Sequence, residues 1–163
     1  MKIIGVDPAK VNTGIVLLED GHTVLRHTTV YCPKGGNFAE ALHDIMSVVI
    51  DYAKDGASCV GIERPYHRMN PNTLTLISMS MAAAVIGAYG SIVEHAIYKS
   101  SEWRKIVFGK SPGYKGDEWK AAAKAKAKGL SGLDLSEDEA EAMLIARACY
   151  IEHMVEIGGE YDE

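Results

Sequence analysis

Apolar residues along this chain fall into two rhythms: short unbroken runs, and longer stretches with a helical repeat. Residues 2–7 open with the first kind, Ile3, Ile4 and Val6 around Gly5, and predict a strand buried on both faces. Asp7-Pro8 ends it. β-type residues resume at Thr13 and run to Glu19. Asp20-Gly21 follows as a hairpin signal, since tight two-residue turns need positive φ, so 13–19 and 22–31 are predicted to pair antiparallel. After a loop at 32–36, Asn37 is a suitable N-cap for a helix to about residue 54, with Phe38, Leu42, Ile45, Val49 and Tyr52 on one face. Asp55-Gly56 closes that helix, and 58–63 is a second short buried run.

A polar loop at 64–71 carries Tyr66, His67 and Arg68. The helix predicted next, 72–90, is apolar nearly all round, from Met79 through Ala84 to Ala88, and such a helix is buried on more than one side. Two readings stand: a central core helix, or one whose outer face is covered by a second copy of the chain. Residues 94–99 predict a strand, 101–108 a short helix, 109–116 a loop and 117–128 a Lys/Ala-rich helix. The last helix spans 136–156, with Ser136 and Glu139 in capping-box spacing. Three strands in a meander followed by alternating helices and strands predict an α/β domain with a mixed sheet. No linker divides it, so 1–157 is expected as one domain and 158–163 as an acidic tail.

Composition adds bounds. At 163 residues, with 47% hydrophobic and 24% charged, the chain can fill one core and is not disordered. No apolar run is read as reaching the ~18–20 residues of a membrane span, and the start is unlike a signal peptide, so a soluble cytoplasmic protein is expected. Three widely spaced cysteines (Cys32, Cys59, Cys149) read as buried thiols, and zinc-type Cys/His spacing is absent.

Charge changes the picture more. The net of −5 hides an asymmetry: residues 99–128 hold nine bases and three acids, a local +6, and the rest carries −11. A local basic field of that kind steers a polyanion regardless of the whole-chain sum. Lys120, Lys124 and Lys128 also fit an ordinary solvated helix face, being spaced by four. Arg104, Lys105, Lys110 and Lys115, in and before a Gly/Ser/Pro-containing segment, are explained less well that way.

The acids are the candidate chemistry. Asp7 and Glu63 each end a buried run, where a carboxylate is expensive to desolvate unless it is paired or binds a metal. Asp138 and Glu141, spaced i,i+3, share one face of the last helix. Singly, each has a plainer reading: a turn at Asp7-Pro8, an ion pair of Glu63 with Arg64 or Arg68, helix-dipole compensation at 137–139. Together they point to a site for hard divalent cations, which take oxygen ligands.

Ile3-Ile4-Gly5-Val6-Asp7-Pro8-Ala9 with Thr13-Gly14, Gly61-Ile62-Glu63, and the helix opening on Asp138 and Glu141 resemble, in order and rough spacing, the acidic blocks of RuvC-type Holliday junction resolvases. The resemblance covers nearly the whole chain, and Trp103-Arg104-Lys105 before Gly109 is similar to phage-encoded relatives. It implies an RNase H-like fold with a five-stranded mixed sheet flanked by helices. It implies a homodimer that cuts four-way DNA junctions by paired symmetric hydrolysis, using two Mg2+ ions per site or Mn2+ in their place. On that resemblance Asp7, Glu63, Asp138 and Glu141 are the catalytic metal ligands. Tyr66, Arg68, Arg104, Lys105, Lys110, Lys115 and Lys120 are DNA contacts, Tyr66 by stacking at the branch point. Two departures stand out: Ala9 replaces the usual Gly, and Glu141 replaces an Asp common in the family, with a reach one methylene longer. Two rival functions remain open. One is a relaxed debranching nuclease for forks, flaps and three-way junctions; the other is an RNase H-like nucleotide-binding domain of sugar-kinase or actin type.

Overall fold

The computed structural model describes residues 1–33, 35–66, 70–109, 113–114, 116–156 and 158. Of the sequence expectations, His67, Arg68, Lys110, Lys115 and the tail after Gly158 lie outside these residues. The described elements follow the predicted order. Lys2–Asp7 (β1), Asn12–Glu19 (β2) and Thr23–Tyr31 (β3) form the meander, and Phe38–Ala53 (α1) leads to Cys59–Glu63 (β4). Pro71–Gly90 (α2), Glu94–Tyr98 (β5), Ser100–Phe108 (α3), Asp117–Ser131 (α4) and Glu137–Glu156 (α5) complete the chain. Local signals set the boundaries as read. Asp20 and Gly21 both take positive φ, 50° and 75°, as the hairpin requires. Asn37 accepts a hydrogen bond from the Ala39 N–H, and Ser136 and Glu139 exchange both capping-box bonds. Only α4 runs past its predicted end, to Ser131, where Gly132 turns left-handed at φ 75°.

The open sheet is ordered β3-β2-β1-β4-β5, antiparallel across the meander and parallel from β1 through β4 to β5. Val6 lies opposite Ile62 in the β1–β4 register, so the next residues, Asp7 and Glu63, leave the sheet side by side. This is the edge of an open α/β sheet at which sites form.

Helices cover both faces. One face packs Ile4, Val6, Ile15, Leu17, Val60 and Ile62 against α1 and α2. The other packs Ile3, Val16, Leu18 and Cys59 against α5, with α3 and α4 outside it. α5 lies on strand glycines: a Cβ on Gly5 would overlap the carbonyl oxygen of Ala142, and one on Gly14 would overlap that of Asp138. Gly61, paired with Gly5 across the sheet, leaves room for Cys149. Glycine inside a strand marks such a close approach of another backbone, and here it presses the acidic first turn of α5 beside the end of β1.

α2 differs from expectation in one respect. It is 20 residues long, and an 18-residue stretch of it has a mean hydropathy of 1.5, long and apolar enough by composition alone to cross a membrane. Ile77, Ala83, Ala84 and Ala88 are buried inward, and that packing on the sheet and α1 accounts for one face. Met79, Ile86 and Tyr89 stay exposed on the outer side, Tyr89 to 81%.

Candidate active site

Strand and helix ends bring three of the four predicted acids together. Carboxylate oxygens of Asp7, Glu63 and Glu141 all lie within 4.8 Å of one another. Asp138 stands outside that trio, half-buried in the first turn of α5, where burial and then Glu137 raise its carboxyl above the usual range against the pull of Lys120. Its charge still acts on Asp7 and Glu141. Burial, then Glu63, Glu141 and Asp138, push the Asp7 carboxyl well above the usual range, with Arg104 opposing weakly. Burial and Glu63 push Glu141 up to about 7 against the pull of Arg104 and a hydrogen bond from Trp119. Such upward shifts mean carboxylates taken out of water first and then brought close together with little positive charge among them. An all-oxygen set in that condition fits a hard divalent cation.

Several partners of these acids were not legible in the sequence. Glu63 accepts from the Ser100 hydroxyl on one oxygen and from the Trp103 indole N–H at 2.6 Å on the other, rather than pairing with Arg64. Glu141 accepts from the Trp119 indole N–H at 3.0 Å. The two tryptophan rings meet edge to face at 5.5 Å, and the Arg104 guanidinium lies 3.9 Å above the Trp119 ring. Arg104 Nη2 is 3.9 Å from Glu141 Oε2, beyond hydrogen-bond reach, and its buried Nε has no partner among the described residues. The available signal was compositional: the chain's two tryptophans both fall in the basic segment.

Beside the acids opens a cavity of about 800 Å3 lined by Arg64, Tyr66, Lys99, Arg104, Tyr114 and Trp119, among others. Two predicted contacts, Tyr66 and Arg104, line it together with Ser100 and Trp119, which hydrogen-bond Glu63 and Glu141. Lys105 is exposed on α3 and does not line it. Lys120 binds Glu137 at 2.7 Å and Lys128 is 4.0 Å from Asp134, so at least these two lysines of α4 face acids of their own chain.

A second convergence sits farther along α5. Cys59, Cys149 and His153 place side-chain atoms within 4.8 Å of one another, although their sequence spacing matches no zinc motif. Both thiols are buried, with sulfurs 3.4 Å apart, and His153 Nδ1 lies 3.1 Å from the carbonyl of Cys149 in its own helix. Those contacts satisfy the group as a packed thiol pair under a capped imidazole.

No protein-family model matches the chain, and no curated protein sequence does. Solved structures match over its length. RuvC of Thermus thermophilus, in complex with a Holliday junction substrate, superposes with a TM-score of 0.80 at 15% identity, covering 96% of each chain. A second Thermus thermophilus RuvC structure gives 0.78 at 16%, covering 95% of this chain and 97% of that one. At such identity the likeness is one of fold: the open five-stranded sheet and its helices are those of RuvC's RNase H-like architecture.

Proposed function

We propose that this chain is a divalent-metal-dependent endonuclease that resolves four-way DNA junctions. The observation that carries the reading is the meeting of Asp7, Glu63 and Glu141 at two parallel strand ends and one helix, beside a cationic, aromatic cavity. Asp7, Glu63 and Glu141 would hold the cations, with Asp138 on the same face of α5 completing the set. Divalent ions held there, two Mg2+ or Mn2+, would supply Lewis-acid activation of water and charge neutralisation at the departing 3′ oxygen. The protein's own groups orient the strand. Arg104 lines the cavity, and its position over Trp119 fixes the guanidinium plane for a phosphate oxygen. Tyr66, about half exposed at the cavity, offers a ring for a nucleobase. Lys105, and from sequence Arg68, Lys110 and Lys115, add phosphate contacts; Lys120 contributes less, since Glu137 already holds it.

The fold likeness to a RuvC bound to a Holliday junction supports the substrate class. A two-fold homodimer would present two acid clusters to two symmetric strands. The surface that fits is the outer face of α1 and α2, where Leu42, Met46, Met79, Ala82 and Ile86 line a groove of about 290 Å3. The deciding experiment incubates a synthetic four-way junction with and without Mg2+ and maps the cuts on all strands. Paired symmetric nicks that require the metal are expected. Cutting of linear duplex alone would overturn the proposal, and equal cutting of three-way junctions and forks would move it to a debranching nuclease. Asp7→Asn should abolish cleavage, by at least about a thousandfold, while junction binding in a gel-shift assay is retained.

A further inference from the structure

We propose that Trp103 and Trp119 are positioning residues of the acid cluster: neutral N–H donors that fix Glu63 and Glu141 without cancelling their charge. The inference rests on the metal-dependent reading of the site. Trp103 on α3 holds Glu63 Oε2 at 2.6 Å, and Trp119 on α4 holds Glu141 Oε1 at 3.0 Å. Neither indole is free to swing. Trp103 is fully buried and Trp119 is 5% exposed, and Phe108 backs Trp119 edge to face at 5.2 Å. Moving either ring therefore disturbs the packing of α3, α4 and α5.

The chemistry of the donor decides what the contact does. A lysine or arginine hydrogen-bonded to these acids would orient them but also neutralise them, and so compete with a cation. An indole N–H has no formal charge and no acceptor, so it occupies a lone pair and leaves the negative field intact. Each carboxylate offers about four lone-pair sites. Glu141 gives one to Trp119, and Glu63 gives two to Trp103 and Ser100, which leaves sites on both for a cation. Arg104 stands at ion-pair distance from Glu141, 3.9 Å, but outside hydrogen-bond reach, while its guanidinium rests 3.9 Å above the Trp119 ring. Trp119 thus hydrogen-bonds an acid with its edge and stacks on Arg104 with its face, so that the guanidinium makes no hydrogen bond to that acid. Outer contacts that orient metal-binding groups commonly change metal affinity 10–100-fold when lost.

A purely structural role would need only that each buried N–H find some acceptor, so the test separates donor from ring. Mn2+ binding to the DNA-free protein is measured by calorimetry for the unsubstituted chain, for Trp119→Phe, and for chains with β-(3-benzothienyl)alanine at position 103 or 119. That analogue keeps the fused ring and its size but lacks the N–H. The expected result is Mn2+ affinity weaker by about 10–100-fold in each variant, with thermal midpoints of the analogue chains close to the parent's. The chain has two tryptophans, so each single variant leaves one indole as a fluorescent reporter. Quenching of the remaining one by Mn2+ should move to the same higher concentrations. Parent-like Mn2+ affinity in the analogue chains would overturn the positioning role while leaving the nuclease reading standing. An unsubstituted chain that binds no Mn2+ would overturn both, and that result precedes any variant.

Discussion

α2 and α5 are both 20-residue helices with apolar residues on more than one side, α2 over most of its length and α5 from Ala142 to Ala146, and they meet opposite fates. α5 runs between the sheet and the α3–α4 layer and buries Ala140 and every residue from Ala142 to Ala146, then Ala148 and Cys149. α2 lies against the sheet and α1 and leaves Met79, Ile86 and Tyr89 in solvent. Apolar residues on several sides of a helix thus meet two outcomes: on one side of the sheet the chain itself covers them, and on the other an apolar helix face stays exposed. The charges follow the same division. α5 brings Asp138 and Glu141 to the strand ends, whereas α2 carries no acid or base at all.

The strongest way to break the comparison is through the glycines. Gly5→Ala drives a methyl into the Ala142 carbonyl and toward Ala146, and relief requires lifting α5 from the sheet. The expected cost is more than about 4 kcal/mol, in the range reserved for rigid core clashes. Gly90→Ala at the end of α2 meets nothing within 4 Å. It should be neutral or stabilising by up to about 1 kcal/mol. Denaturant unfolding of the two variants reads the difference directly; a well-folded Gly5→Ala chain would remove the close docking of α5 as the device that places the acids.

The next effect is electrostatic. Glu141, pushed up to about 7, keeps its proton in the folded, metal-free protein at pH values where the unfolded chain has lost it. The folded state then binds more protons than the unfolded state, so stability falls as pH rises from about 5 to 8. Its share is about 2–3 kcal/mol. Glu141→Gln should flatten that slope, and Mg2+ added at pH 8 should restore stability by favouring the charged form. Thermal or urea unfolding across the pH range checks both, and equal slopes in the two proteins would exclude Glu141 from the linkage.

Much of this division was legible in the sequence. Short β-branched runs, the Asp20-Gly21 turn and the Asn37 and Ser136 caps are local signals, and each fixed a boundary that the structure keeps. Asp7 and Glu63 could be brought together because strand ends in parallel neighbours leave a sheet at one edge. Glu141 joined them through helix spacing, but the same spacing also predicted Asp138, which the first turn holds outside the trio. Helical periodicity fixes a face and not a distance. Trp103 and Trp119 were illegible as acid partners because 40 and 22 residues separate each from the carboxylate it holds. Gly5, Gly14 and Gly61 were illegible for the same reason, since only the fold reveals that one distant helix packs on all three.

The smallest effect on the fold is the sharpest test of α2. Ile86 is 58% exposed and lines the α1–α2 groove, so Ile86→Glu removes little buried area and creates no clash inside the chain. Unfolding of the isolated subunit should change by less than about 0.5 kcal/mol. Across a two-fold interface the substitution acts twice, placing two carboxylates against apolar side chains near the axis, where an unpaired buried charge is strongly disfavoured. Sedimentation at micromolar concentration should therefore shift from dimer to monomer, with the thermal midpoint of the subunit held. An unsubstituted chain that already sediments as a monomer would sink the two-subunit account of this face. A variant that stays dimeric would move the interface off α2, and the likeness between the two helices would then need a different cause.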